Sequence, residues 1–442
     1  MPGRHVASDV RTLNLKGTMM SSGALDSGPE RAAAAVAPTA ASQREPVLDV
    51  LRGFAMLGIL LINIEYMRGS DFYLAFINDA TPSGLADRIT QFGMGWLAAG
   101  KFVASFAILF GIGAALMVAR TIRAGRSPRR LLARRYGLLI GFGLAHMILL
   151  FPGDILFLYG LTGLVLLAFV RVQARTALWW AAGLLAISTL FFVAATAGTA
   201  FAPEPDPTDP AVAAQQELFL GQQEQAIAAY TQGTYIEVVA VHAAQAGIMQ
   251  VGQLVMLPWV LALFLIGMAV VRAGVLDDLT GHRRLLRRAA LVGLGVGLPI
   301  NLLLGQLGPL WGGATLQPAA ESPGLLMTAA AVQLLGAPLL ACGYLAAVAL
   351  LSLRFGASRR LAGIGRMALS AYLLQSVLAL LVFAGFGWYD RLGSAQALVV
   401  VLGIWAVLLV ACPAWMRRFR FGPAEWLWRS LTYGRRQPLR AA

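Results

Sequence analysis

Cysteine is nearly absent from this 442-residue sequence: Cys342 and Cys412 are the whole complement, each inside an apolar block. Two such residues make neither a disulfide framework nor a metal-ligand cluster, and they read as small buried hydrophobes. Histidine is scarce as well. Of the four present, one lies in an apolar span, so a multi-histidine metal site is not expected. Only 13% of the residues are charged, about half the share of a soluble domain. No Ser-His-Asp order, nucleophile elbow, HExxH, CxxC or Walker loop is present. The first 43 residues are Ala, Gly, Ser and Pro with scattered charge, too polar for the core of a signal peptide. They read as a disordered tail, or as a start placed too early, outside the fold.

What abounds is apolar sequence, 58% of the residues, with a mean hydropathy of +0.70. Apolar blocks of bilayer-spanning length recur. Candidate spans are 49–67, 96–119, 130–150, 154–170, 176–199, 248–271, 288–305, 325–352, 368–387 and 395–414. This predicts an all-α, polytopic transmembrane helix bundle of about ten spans. Residues 44–420 form the bundle, and residues 421–442 form a basic amphipathic segment in the interface, with Trp426 and Trp428 as belt residues.

The net charge of +14 is distributed as a membrane protein requires. Arginines gather between spans two and three (Arg120 to Arg135), six and seven (Arg272 to Arg288), before span nine (Arg354 to Arg366) and in the tail. The opposite loops are poor in them, and residues 200–247 carry six carboxylates without any Lys or Arg. Every second loop is basic, which places both termini in the cytoplasm. The basic loops lack interleaved aromatics or a reader motif, so nucleic acid is not an expected partner. In the long loop, prolines in "APEPDPTDPA" forbid a regular helix, and residues 211–246 read as amphipathic helix along the outer surface. Glycine pairs within spans, "FGIG", "GFG" and "GLGVG", read as close helix packing.

Ionisable groups inside an apolar bundle are costly and mark function. In "HMILLFPGDILFLYG", Pro152 and Gly153 turn spans three and four into a hairpin. His146 lies ~9 Å inside that turn, and Asp154 opens the next helix at similar depth. Asp154 also suits a helix N-cap, which accounts for the aspartate but not the histidine. Lys101 lies ~28 Å from the cytoplasmic boundary at Arg120, and either joins this group or snorkels to the outer headgroups. Asn63 and Glu65 end span one at the same depth. At the cytoplasmic face, Asp49 and Arg52 are one turn apart and can pair, and Arg52 can alternatively meet a phosphate. Tyr372 and Gln375 in span nine either line a path or bond neighbouring helices.

The segments "REPVLDVLRGFAMLGILLINI", "GKFVASFAILFGIGAAL", "HMILLFPGDILFLYGLTG", "GRMALSAYLLQS" and "FGPAEWLWRSLTYGRRQPLR" resemble the YeiB-like bacterial inner-membrane proteins, over residues 44 to 440. That family is usually placed with the transmembrane acyltransferases, beside the heparan-alpha-glucosaminide N-acetyltransferases and the glucan-modifying acyltransferases. The resemblance implies a multi-pass protein of the bacterial plasma membrane, in contact with its lipids. It also implies transfer of an acyl group from cytosolic acyl-CoA to a periplasmic or lipid-linked acceptor, with no tightly bound cofactor. His146 would be the membrane-embedded histidine and Arg52 part of the LRG element. Where the family often has Asn after Ser or Thr before "YL", this chain has Ala371, so any role of that amide is absent.

As an enzyme, the chain would use His146 as general base, Asp154 to orient it, and Lys101 to stabilise an oxyanion or hold an anionic acceptor. As a transporter or flippase it would use the same residues as a substrate or proton path. A non-catalytic membrane partner or sensor is the third reading.

Overall fold

A computed structural model describes residues 46–74, 84–203, 206, 208–303 and 323–440. The expected tail 1–43, Glu204 and the last residues of the seventh expected span lie outside them. The described residues are helical for the most part and hold no strand beyond one bridge between Phe419 and Arg440.

The first helices are α1 (Pro46–Met67), the short α2 (Asp71–Leu74), α3 (Leu85–Leu97) and α4 (Lys101–Arg123). Span two was expected at 96–119, but Gly100 breaks it from α3 with φ 74°, a left-handed conformation that glycine adopts freely. Then come α5 (Pro128–Leu149) and α6 (Leu156–Val165), the latter prolonged by a 3-10 turn, Leu166–Phe169. α5 starts with Pro128, whose missing N–H costs nothing at a helix start. Next are α7 (Ala174–Ala200), α8 (Pro210–Thr231), α9 (Tyr235–Val255) and α10 (Leu257–Arg272). The carboxylate of Asp209 caps α8 at the Ala211 amide, 2.8 Å away. The remainder is α11 (Arg283–Leu303), α12 (Pro323–Phe355), α13 (Arg359–Arg366), α14 (Ala368–Leu380), α15 (Ser394–Arg418) and α16 (Pro423–Tyr433). A π-helical turn, Leu381–Gly385, continues α14.

Among the described residues, nine helical stretches are long and apolar enough to cross a membrane. The protein is therefore an integral, multi-pass membrane protein. Eight of the ten expected spans fall on these stretches. The other two, 154–170 and 248–271, meet shorter apolar helices, α6 with its 3-10 turn and α10, because a break at Met256 cuts the second off from α9. The ninth stretch is α9, which the sequence reading places in the amphipathic loop up to residue 246. Tyr235 Oη donates to the Leu149 carbonyl at 2.6 Å, and His242 meets the Ile148 carbonyl at 3.2 Å. Residues seven apart on α9 thus touch neighbouring residues on α5, so α9 starts across the end of α5 rather than along its length.

α10 lies at the centre, against α4, α7 and α6, with Trp259, Leu263 and Phe264 fully buried. Small residues permit this: a Cβ on Gly111 would strike the Phe264 backbone, and one on Gly267 the Ile108 backbone. Direct main-chain approach replaces the hydrophobic driving force that helices lack inside lipid. The outer face of α7 leaves Trp179, Trp180, Leu190 and Phe191 exposed, a liability in water but the expected surface toward acyl chains.

Two ends of the bundle can be distinguished. At the arginine end, the Arg272 guanidinium donates to the carbonyls of Phe169 (3.1 Å), Val170 (2.8 Å) and Val172, closing the last turn after α6. Here α16 packs on α5 and α14. Arg135 lies 3.6 Å over the Trp428 ring, whose indole N–H donates to the Arg135 carbonyl. Trp428 is buried, so it packs inside the protein instead of serving as a belt residue toward headgroups. The other end carries the Pro152–Gly153 turn.

Candidate functional site

The turn end holds a buried polar constellation built on three helices. α5 delivers His146 in its last turn, and the Leu150 and Phe151 amides close that turn on the His146 carbonyl at 2.8 and 2.9 Å. Pro152 and Gly153 reverse the chain, and Asp154 follows. One carboxylate oxygen accepts from the Phe157 amide at 2.8 Å, in the first turn of α6, although the N-cap position itself is held by Ile155. The other lies 2.8 Å from His146 Nδ1. Asp154 thus meets the start of α6 and His146 at once, but stands one residue before the N-cap position expected of it. The hairpin closes this tightly because Gly143 has no side chain: a Cβ there would stand 2.8 Å from Asp154 Oδ2 and press on the Phe157 backbone.

The second imidazole nitrogen carries the new information. His146 Nε2 lies 2.9 Å from the Ser376 hydroxyl on α14, 230 residues away in sequence. His146, Asp154 and Ser376 are exposed by 2%, 0% and 1%, so water does not compete for these bonds. The two contacts on opposite sides of the ring fit one neutral tautomer. With Asp154 assigned as a carboxylate, its free oxygen accepts from Nδ1–H. Nε2 then has a lone pair and accepts the hydroxyl proton of Ser376. A Ser-His-Asp arrangement is thereby assembled although no motif search of the sequence finds one, since such a triad is defined by geometry rather than by spacing.

Other expected residues divide between this group and elsewhere. Tyr372, one turn before Ser376 on the same face, packs its ring 4.8 Å from the His146 ring. Its hydroxyl lies beside Asn63 and the Ile155 amide without completing a well-formed hydrogen bond. Gln375 turns the other way and donates to the Met56 carbonyl on α1 at 3.1 Å. Lys101 is buried but does not join: its ammonium donates to the Gly95 carbonyl at 2.8 Å and holds the α3–α4 turn. Equal depth is not equal azimuth, and Lys101 neither snorkels nor contacts His146. Glu65 belongs to a separate network, accepting from Arg68 at 3.0 Å and from the Ser394 hydroxyl at 2.8 Å. Asp49 and Arg52 form the expected ion pair, at 2.9 Å, at the arginine end.

Three groups escaped the sequence reading. Arg68 gathers Glu65, Asp71 and the Leu392 carbonyl, and Asp390 accepts from the Ser70 amide and hydroxyl. His242 is a second buried histidine in a long apolar helix, its Nε2 2.5 Å from the Tyr230 hydroxyl. The third is Ser376 itself. Its one visible signal was position, four residues after Tyr372 and hence on the same helical face.

A small cavity opens between these groups. It is lined by Tyr66, Met67, Pro152, Tyr230, Phe383 and Ser376 among others, and its volume of about 10 Å³ is room for one water molecule. Of the triad, Ser376 alone lines it. Leu380 and Phe383, at the junction of α14 with the π-helical turn, form part of its wall. π-turns inside helices recur at functional sites.

Comparison with known proteins gives a family model described as a protein of unknown function (DUF418), which matches residues 270–435. That segment includes Tyr372, Gln375 and Ser376 but stops short of His146 and Asp154. Relatives extend over nearly the whole chain. The uncharacterized protein YeiB of Escherichia coli is 31% identical over 408 residues, 88% of this chain and 96% of its own length. The uncharacterized protein YxaH of Bacillus subtilis is 29% identical over 422 residues, covering 91% and 97%. An uncharacterized 39.9 kDa protein from the amylase 3' region of Bacillus acidopullulyticus is 28% identical over 407 residues, covering 91% and 97%.

Proposed function

The chain belongs to the YeiB-like family of multi-pass membrane proteins of unknown function, and from that premise we propose that it is a membrane-embedded acyltransferase with His146 as its general base. One observation carries this reading: a buried imidazole held by a carboxylate at Nδ1 and presenting Nε2 to a hydroxyl. That is the arrangement a base needs in order to take a proton from an attacking oxygen or nitrogen. Asp154 fixes the tautomer and stabilises the imidazolium that forms. Lys101 takes no part, since its ammonium is engaged at Gly95.

Arginine alternation puts the arginine end in the cytoplasm and the His146 group near the opposite face, that of a bacterial inner membrane. Arg52, Arg120 and Arg429 approach one another at the arginine end closely enough to repel. Such a basic cluster suits the phosphates of a cytosolic acyl-CoA. The acceptor, a hydroxyl or amine on a periplasmic or lipid-linked molecule, would meet His146 from the turn end.

The test uses the purified chain in detergent, supplied with acetyl-CoA and a panel of sugars and amines. Free CoA should appear and should vanish in His146→Ala at unchanged folding. A transporter needs two sealed compartments and releases none. Absence of CoA release across a broad donor and acceptor panel, with His146-dependent substrate flux into proteoliposomes, would replace the enzyme by the transport reading.

A further inference from the structure

Several helical hydroxyls bond outside their own helix, Ser370 to Glu425 and Ser394 to Glu65, but among the described residues Ser376 is the serine that meets an imidazole. Ser105, Thr121, Thr196, Thr231 and Thr432 each donate to the carbonyl four residues back, the ordinary way a helix satisfies such a group. Ser376 instead directs its proton across to α5, onto His146 Nε2. It is also the one triad member on the wall of the cavity, which opens beside the hairpin turn. A hydroxyl bonded to a carboxylate-backed imidazole and facing a cavity has the placement of an activated nucleophile.

We propose that Ser376 is a nucleophile that carries the acyl group as a serine ester between donor and acceptor. This rests on the acyl-transfer reading above and names its intermediate. In the first half, Ser376 Oγ attacks the thioester carbonyl carbon while His146 Nε2 takes the hydroxyl proton. The C–S bond then breaks, the leaving thiolate takes that proton from His146, and CoA departs with its thiol. In the second half, the acceptor hydroxyl or amine attacks the ester carbonyl and gives its proton to His146. The bond to Ser376 Oγ breaks, and the proton returns to the serine. Neither half needs an oxidant, a reductant or a further co-reactant.

A covalent relay also answers a problem of geometry. Donor and acceptor come from opposite ends of the bundle, and the space at Ser376, about 10 Å³, must widen to admit even one of them. An ester on Ser376 lets them come in turn, so the kinetics should be ping-pong.

Two probes test this separately from the acyl-CoA reading. A short-chain alkyl fluorophosphonate reports serine activation without any donor: Ser376 Oγ bonds phosphorus, fluoride leaves, and His146 takes the proton. Peptide mapping should place the adduct on Ser376 in the full-length chain and find none in His146→Ala. With acetyl-CoA followed by an acid quench, the same peptide should gain one acetyl group. Ser376→Ala, if folded by its melting curve, should lower CoA release about 10³-fold. A wild-type chain with no adduct at Ser376 and continued His146-dependent CoA release would overturn the serine relay but leave the acyltransferase standing. So would Ser376→Ala with a rate within about threefold of wild type. An adduct at Ser376 with no CoA release from any acyl-CoA would keep the nucleophile and overturn the proposed donor.

Discussion

Replacing Asp154 by Asn changes almost nothing in shape and should nevertheless remove the base. Asp154 accepts twice, from the Phe157 amide and from His146 Nδ1, each at 2.8 Å. Asn has only one accepting oxygen. The Phe157 amide can only donate, so the oxygen stays with it, and Asn accepts from a helix start as well as Asp does. The side-chain amide then faces His146 Nδ1, which must lose its proton in order to accept. Nε2 takes that proton and donates to Ser376, leaving no lone pair for the hydroxyl. The equivalent change in Ser-His-Asp catalysts lowers the rate about 10⁴-fold. A loss of about 10³- to 10⁴-fold is expected here, or about 4–5.5 kcal/mol at about 1.4 kcal/mol per decade.

Folding should suffer far less, since two charge-assisted hydrogen bonds become neutral ones, at a cost of about 1 kcal/mol each. Initial rates of CoA release, measured beside thermal melting in the same detergent, separate the two effects. A variant that keeps more than about a tenth of the rate would refute the tautomer argument. So would one whose lost activity merely tracks lost folded protein.

Two further predictions concern the scaffold. Glu425 is a buried carboxylate that accepts from the Leu369 amide (2.6 Å), the Ser370 amide (3.2 Å) and the Ser370 hydroxyl (2.5 Å) at the start of α14. Burial raises its pKa above the ordinary 4.5, with these hydrogen bonds opposing in part. Because the folded pKa is the higher one, the contribution to stability is full below about pH 4.5 and is lost as pH rises through the folded value. The melting temperature of wild type relative to Glu425→Gln should therefore fall from pH 4 toward pH 7, and a flat difference would contradict it. For orientation, reporter fusions at Arg126, Arg283 and Arg360 should read cytoplasmic and a fusion near Asp209 external. A cytoplasmic Asp209 would invert the sidedness of the proposed reaction.

Apolar block length and arginine spacing sufficed to find most helices, since lipid imposes both on sequence. They failed at Gly100, where a helix breaks inside an apolar run without a proline, and at Met256, although Pro258 in the first turn of α10 signals that break. The His146–Asp154 pair was legible because a Pro-Gly turn folds eight residues into contact. Ser376 was not, because its partner lies 230 residues away and one serine in an apolar helix looks like any other. Lys101 shows the converse error. Depth along a helix can be counted from sequence, but the direction a side chain faces is settled only by packing, and here it faces Gly95.

The shortness of α6 and α10 bears on the surrounding bilayer. Ten α-helical and four 3-10 residues in one, and sixteen in the other, rise only about 23–24 Å. A typical hydrocarbon layer is about 30 Å thick. The two helices pack together, and Arg272 ties off the carbonyls where the shorter one ends. α10 is enclosed by α4, α7 and α6, so the mismatch reaches lipid only through the exposed side of α6 near Val165, and the bilayer is expected to thin there. Reconstitution into lipids of graded chain length should show stability, and any turnover, peaking in the thinner ones, and indifference to thickness would sink this consequence.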